Sequence, residues 1–228
     1  MDGIVMGGGV GVGAHASVRV VTETSKVAMP EVGIGFIPDV GGAYLLSRAP
    51  GALGLHAALT GAPFTGADAI AMGFADHYVP HSELEAFTAA IVAGGVDGAV
   101  GRHAIEPPPS LLAEQRDWID KCFAGDTVED IIAALRDHGG PAEDAANLIS
   151  NRSPIALSVT LAAVRRAAKL DTLEDVLTQD YRVSSGSLRS HDLVEGIRAQ
   201  LIDKDRKPKW SPATLADVTP GDVEAYFQ

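Results

Sequence analysis

The first 80 residues combine short apolar runs with stretches of helical periodicity. Short runs rich in β-branched or apolar residues and bounded by Gly, Ser or Thr predict strands. Longer stretches with apolar residues three and four positions apart predict helices. The predicted strands cover residues 3–6, 18–24 and 26–29, and the predicted helices cover 42–61, with a break near Pro50-Gly51, and 65–80, where a helix from Ala67 stops at Gly73 before another short strand.

Beyond residue 110 the pattern is helical throughout. Its segments begin near Ser, Thr, Asp or Pro residues that are typical helix caps, for example at Thr127, Ser153 and Thr172. The stretch between the two parts is rich in Gly and Pro, which predicts a linker. The chain is therefore predicted to be α/β in front and α-helical behind, divided into residues 1–93, 94–110 and 111–228.

Composition restricts the function classes. The chain has 228 residues, of which 46% are hydrophobic, so it can bury a sizeable core. A net charge of −12 argues against a nucleic-acid partner, because phosphates require a basic face. Cys122 is the only cysteine, so no intrachain disulfide forms and a cytoplasmic location is expected. The apolar N-terminus predicts neither a signal peptide nor a membrane span. Either it is buried from its first residues, or the chain begins in the middle of a domain.

The glycine run that follows the first strand has three interpretations. Residues 9–14, GVGVGA, satisfy the G-x-G-x-x-A pattern of a dinucleotide fingerprint, but the next strand begins too soon for a crossover helix. Alternatively, glycines leave backbone N–H groups accessible to an anion or oxyanion. A third interpretation is close packing of a helix on a strand. The run alone does not separate the last two.

Residues 29–42, MPEVGIGFIPDVGG, place two acids in an otherwise apolar segment without a basic residue. Two carboxyl groups in one apolar pocket repel each other, so one is expected to titrate upward and hold a proton. A pair of this kind suits general acid–base or nucleophilic chemistry. The structural alternative for Asp39 is that it caps a helix that begins near Gly41.

The stretch DGIVMGGGVGVGAHASVRVVTETSKVAMPEVGIGFIPDVGGAYLLSR closely resembles the enoyl-CoA hydratase/isomerase (crotonase) superfamily, and within it the 3-hydroxyisobutyryl-CoA hydrolase branch. Residues 175–210 are similar to the same branch. The resemblance implies an α/β fold with a crotonase-like ββα spiral core and a C-terminal helical region. About the first third of a family member is missing from the chain, including the first strands and the loop that gives the second oxyanion N–H.

The resemblance also assigns roles to residues. Gly8, the middle glycine of Gly7-Gly8-Gly9, matches the position whose backbone N–H donates to the oxyanion, so Gly7 and Gly8 are expected to bind substrate. Glu31 matches the shared catalytic glutamate, and Asp39 matches the second acid of the hydrolases. Hydratases carry their other glutamate at the position of Gly11. Accordingly, Glu31 is expected to attack the thioester or activate water, and Asp39 to hold and deliver the proton.

The implied function is hydrolysis of an acyl-CoA thioester, most specifically of 3-hydroxyisobutyryl-CoA in valine breakdown. The resemblance predicts an acyl-CoA substrate, no metal or other cofactor beyond the CoA of the substrate, no nucleic-acid or membrane partner, and a homo-oligomer. One alternative is an enoyl-CoA hydratase or isomerase. Another is a non-catalytic crotonase-like fragment that assembles with a partner supplying the missing strands.

Three further features carry separate expectations. His15 is predicted to be a hydrogen-bonded structural histidine rather than a base. His191-Asp192 is predicted to cap a helix, because the chain has no G-x-S-x-G serine motif that it could serve. The basic residues between Arg189 and Lys209 form either a solvated face or a contact to CoA phosphates.

Overall fold

The computed structural model describes residues 1–228 and contains two small sheets. In the three-stranded sheet the central strand β3 pairs in parallel with β1, through Val27 and Val5, and antiparallel with β4. In the two-stranded sheet β2 pairs in parallel with β5. The strands are β1 (Ile4–Met6), β2 (Val20–Val21), β3 (Lys26–Ala28), β4 (Phe64–Thr65) and β5 (His77–Tyr78).

Fourteen α-helices make up most of the remainder. Thr127, Ser153 and Thr172 cap helices with their side chains, as predicted, because each hydroxyl accepts an N–H of the first turn. The helices are α1 (Gly8–Gly13), α2 (Gly42–Arg48), α3 (Leu53–Thr60), α4 (Gly66–Ala71), α5 (Leu84–Gly94), α6 (Val96–His103), α7 (Leu111–Glu114), α8 (Arg116–Cys122), α9 (Val128–His138), α10 (Pro141–Ser150), α11 (Pro154–Ala167), α12 (Leu173–Ser187), α13 (His191–Ile197) and α14 (Pro220–Glu224).

One hydrophobic core joins the two predicted parts of the chain. Its 35 buried residues include Val27 and Phe74 from the α/β part and Ile131 and Leu157 from the helical part. Helices α3, α8, α9, α10 and α11 pack on one another around this core. The helical part therefore completes the core of the α/β part, because neither part buries these side chains alone.

Residues 94–110, where the sequence predicts a linker, contain a helix that their Gly- and Pro-rich composition does not indicate. Helix α6 occupies Val96–His103 and packs against α5 through Ala99 and Phe87. Gly95, with φ of 83°, makes the tight turn between them, so the glycines end one helix without preventing the next. An extended segment follows, in which Ile105 pairs with Tyr78 of β5.

Candidate active site

Glu31 opens a single 3-10 turn, Glu31–Ile34, directly after β3. Pro30 precedes it and Gly35, with φ of 71°, ends it, which explains why the Gly- and Pro-rich segment forms one short turn. The side chain is 7% exposed and its carboxyl group points at the glycine run. Its Oε1 lies 2.8 Å from the point where a Cβ of Gly7 would be, so a side chain at this position would displace the carboxyl group.

Burial, with a smaller contribution from the charge of Asp39, raises the pKa of Glu31 to about 8, against the opposing effect of a backbone hydrogen bond. The Oε2 atom is buried and has no hydrogen-bond partner within the protein. Because Asp39 is only half-buried and the ordinary pKa of Asp is lower, Glu31 is the acid that keeps its proton to higher pH. This reverses the expected position of the proton, which the sequence places on Asp39.

Gly7 and Gly8 form the step from β1 into α1. Gly7 adopts φ of 51° and its N–H donates to Ala28 O of β3, so it belongs to the sheet. Gly8 is the first residue of the helix and is exposed, and the first N–H groups of a helix have no partner within it. The N–H of Gly8 therefore has no partner within the helix, and its role as a donor to an oxyanion stays a prediction.

The structure excludes the dinucleotide interpretation of the glycine run. Residues 9–13 lie inside α1 rather than in a loop before it, and this helix has six residues. Strand β2 begins at Val20, so no full crossover helix separates it from β1. Close packing accounts for some of the glycines, since a Cβ on Gly11 would lie 2.7 Å from Cβ of Val40.

Asp39 lies in a turn with unusual backbone geometry. The N–H of Gly42 donates to Asp39 O over 2.7 Å, and the two residues between them, Val40 and Gly41, have φ of 52° and 76°. A β-branched residue with positive φ is rare, and its conformational cost is about 1–3 kcal/mol. Asp39 does not cap α2, because the helix begins after Gly41 without a side-chain cap. Burial raises the pKa of the Asp39 carboxyl.

A third acid that sequence reasoning missed joins this turn. Asp180, in the middle of α12, is 4% exposed, and its Oδ2 accepts the N–H of Gly41 over 2.9 Å. Burial and the charge of Asp39 raise the pKa of Asp180 to about 7, although the Gly41 hydrogen bond lowers it. No local signal identifies Asp180, since 139 residues separate it from Gly41.

Helix α13 supports the turn that carries Glu31. Gly196 packs on the Ile34 carbonyl and Gly35 packs on the backbone of Asp192, both too closely for a side chain. Asp192 is fully buried and accepts hydrogen bonds from Ser153 Oγ at 2.5 Å and from the Ser211 N–H at 2.7 Å. A helix does begin at His191-Asp192, as predicted, but its cap is Ser190, and Asp192 links α13 to Ser153 and Ser211.

Two other expectations need correction. The Nε2 atom of His15 is buried against Gly41 and has no hydrogen-bond partner within the protein, so His15 is not the hydrogen-bonded histidine that was predicted. In the basic C-terminal stretch, Arg198 pairs with the three carboxylates of Glu195, Asp203 and Asp205. This acidic network neutralises its charge, which favours the solvated-face interpretation at that position.

A cavity of about 330 Å³ opens beside the 3-10 turn and is bounded by Glu31, Gly33, Arg152 and Leu201. The Nε and Nη2 atoms of Arg152 donate to Thr60 O at the end of α3, and the charge faces no acid. No group of three or more His, Cys, Asp or Glu side chains in the chain has the arrangement of a metal site. No helix has the length and apolar character needed to cross a membrane.

The sequence model of the enoyl-CoA hydratase/isomerase family matches residues 1–227. The chain belongs to the enoyl-CoA hydratase/isomerase family. This family member is 41% identical over 240 residues to the mitochondrial 3-hydroxyisobutyryl-CoA hydrolase of Mus musculus, and 40% identical to that of Homo sapiens. The match covers the whole chain and 62% of each relative, so the chain spans about three fifths of the length of these proteins.

Solved structures confirm the fold. A carnitinyl-CoA dehydratase from Mycobacterium thermoresistibile is 74% identical, with a TM-score of 0.97, and the match covers the whole chain and 66% of that protein. An enoyl-CoA hydratase from Rhodobacter sphaeroides is 39% identical, with a TM-score of 0.91, over 99% of this chain and 66% of that one. The expected α/β class with a partial crotonase-like core is confirmed, as is the resemblance to the hydrolase branch.

Proposed function

We propose that this family member is part of an acyl-CoA thioester hydrolase that acts on 3-hydroxyisobutyryl-CoA. The observation that carries the proposal is the filled space at Gly11. Val40 occupies the position that a side chain on residue 11 would need, whereas Glu31 and Asp39 remain close enough for their charges to interact. The site therefore lacks room for the first glutamate of a hydratase and keeps both acids of a hydrolase.

Thioester hydrolysis passes through a tetrahedral species whose negative charge lies on the former carbonyl oxygen. The N–H of Gly8 stabilises that charge, and the loss of one such donor costs about 3–4 kcal/mol. Ionised Glu31 either attacks the carbonyl carbon to form a mixed anhydride or takes a proton from water. The proton for the departing CoA thiolate comes from this water. Asp39, which is ionised when Glu31 is, relays the proton, and in the anhydride route the water enters when it hydrolyses the anhydride. The proposed reaction uses no metal or redox group, and CoA enters only as part of the substrate.

A second candidate is reversible hydration of an enoyl-CoA. The observation in its favour is the 74% identity to a solved structure described as a carnitinyl-CoA dehydratase. Hydration in this family uses a second glutamate at the position of Gly11, and Val40 excludes it. A third candidate is a non-catalytic fragment that binds a partner, and the 62% coverage of the relatives is the observation behind it.

The first experiment measures the release of free CoA thiol from 3-hydroxyisobutyryl-CoA, with Glu31→Ala as the control. Crotonyl-CoA and carnitinyl-CoA are assayed in parallel for hydration or dehydration. Thiol release that depends on Glu31 supports the hydrolase, whereas a change in the enoyl double bond without thiol release supports the hydratase. If the folded chain does neither, the same assays with the family's N-terminal segment added decide between an incomplete enzyme and a non-catalytic fragment.

A further inference from the structure

The turn that carries Asp39 is held from outside its own segment. Its two central residues, Val40 and Gly41, both have positive φ, and only Gly41 adopts this conformation readily. A strained turn of this kind persists only when its surroundings fix it. Inside the turn, the only hydrogen bond is the one from the Gly42 N–H to Asp39 O.

The external hydrogen bond comes from α12. Oδ2 of Asp180 accepts the Gly41 N–H at 2.9 Å in a buried environment, and the other carboxyl oxygen, Oδ1, has no partner within the protein. A buried carboxylate is costly, so an acid at this place in a helix needs a reason beyond packing. On the other side of Gly41, Nε2 of His15 fills the space of a Cβ.

The charge of Asp39 acts on two other acids. It raises the pKa of both Glu31 and Asp180, and no other charged side chain contributes to the pKa shift of Asp180. We propose that Asp180 is a positioning residue: its hydrogen bond to the Gly41 N–H fixes the Asp39–Gly42 turn, so that the Asp39 carboxyl faces Glu31. The expected effect on catalysis rests on the proposed function, whereas the expected effect on the conformation of the turn does not.

Two variants separate a hydrogen-bonding role from a role of the charge. Asp180→Asn keeps an oxygen that accepts the Gly41 N–H and is nearly isosteric, whereas Asp180→Ala removes the acceptor. Glu174→Ala, at an exposed position of the same helix, is the matched control. With 3-hydroxyisobutyryl-CoA we expect Asp180→Ala to lower kcat about 10²-fold, since small displacements of reacting groups have effects of that size. KM should change by less than about 3-fold, because acyl-CoA contacts are retained.

The Gly41 amide gives a readout that does not depend on activity. In ¹⁵N-labelled protein we expect its resonance to keep its position in Asp180→Asn and in the Glu174→Ala control. In Asp180→Ala it should move upfield and exchange faster with solvent. If Asp180→Ala does not fold, Asp180→Asn alone decides, because the proposal requires it to retain both kcat and the Gly41 resonance.

Three results would overturn the proposal. One is an unchanged Gly41 amide in Asp180→Ala, and another is full activity of that variant. The third is an equal loss of kcat in Asp180→Asn and Asp180→Ala, which would make the charge of Asp180 the required property. If the wild-type chain releases no CoA thiol even with the family's N-terminal segment added, the proposed function fails, and the Gly41 amide still tests the positioning role.

Discussion

Substitution of Glu31 by Gln is expected to stabilise the protein, and the gain should grow with pH. The pKa of this carboxyl rises from 4.5 to about 8 on folding, chiefly because it is buried. Above pH 4.5 the unfolded chain releases the proton while the folded chain keeps it, so folding stability falls as pH rises towards 8. Gln has the same shape and no proton to lose, so the variant avoids this loss.

The magnitude follows from the size of the pKa shift. Each pH unit between the two pKa values corresponds to about 1.4 kcal/mol of folding free energy. The variant should therefore have the stability of the wild type near pH 4.5 and exceed it by about 3 kcal/mol at pH 7. Above pH 8 the difference should reach a plateau of about 4–5 kcal/mol.

Urea unfolding of both proteins at half-unit steps from pH 4.5 to 8.5 measures this difference. Glu106→Gln is a suitable control, because Glu106 is an exposed acid outside the helices. A difference between Glu31→Gln and wild type that does not vary with pH would refute the reasoning. It would mean that Glu31 ionises in the folded site as easily as in the unfolded chain.

Four other outcomes are expected. The rate constant kcat/KM for thiol release should rise with pH towards a plateau above about 8, because only ionised Glu31 is reactive. Asp39→Asn should move that rise to lower pH, since it removes a charge that raises the pKa of Glu31; a rise at unchanged pH would mean that the two acids do not interact. Gly11→Ala should be destabilising alone but tolerated with Val40→Gly, and a double-mutant cycle by urea unfolding should show a coupling of about 0.5–3 kcal/mol. Asp192→Ala should lower the free energy of unfolding by about 1–3 kcal/mol, because it leaves a buried hydroxyl and a buried N–H donor unpaired. Thermal unfolding measures the loss, with Asp192→Asn as the control that keeps the size of the side chain and an acceptor oxygen. An equal loss in both variants would contradict the hydrogen-bonding explanation.

Local features of the sequence are sufficient for much of the fold. The break at Pro50-Gly51, the stop at Gly73 and the Ser and Thr caps all lie where predicted, because each depends on a few neighbouring residues. The helix at Val96–His103 was missed because its glycines look like a linker, and only packing against α5 makes it stable.

The candidate site also combines features that neighbouring residues predict with features that depend on distant parts of the chain. Glu31 and the glycines come together through one strand pair, β1 with β3, so motif and spacing indicate them. Asp180 accepts a hydrogen bond across 139 residues and Asp192 across 39, and neither has a neighbouring residue that suggests its partner. Val40 adopts a left-handed backbone conformation that valine rarely takes, so residue propensities do not predict this conformation. The roles of Gly8, Glu31 and Asp39, the oligomeric state and the location remain predictions.

The shared core has a consequence for how the protein unfolds and is degraded. Because one cluster of 35 side chains draws on both halves of the chain, the halves should lose structure together in a single cooperative transition. A protease that cuts the extended segment after α6 would leave two pieces held together by buried contacts. Separating them would expose that apolar surface in both, so neither piece is expected to persist as an independently folded, protease-resistant product.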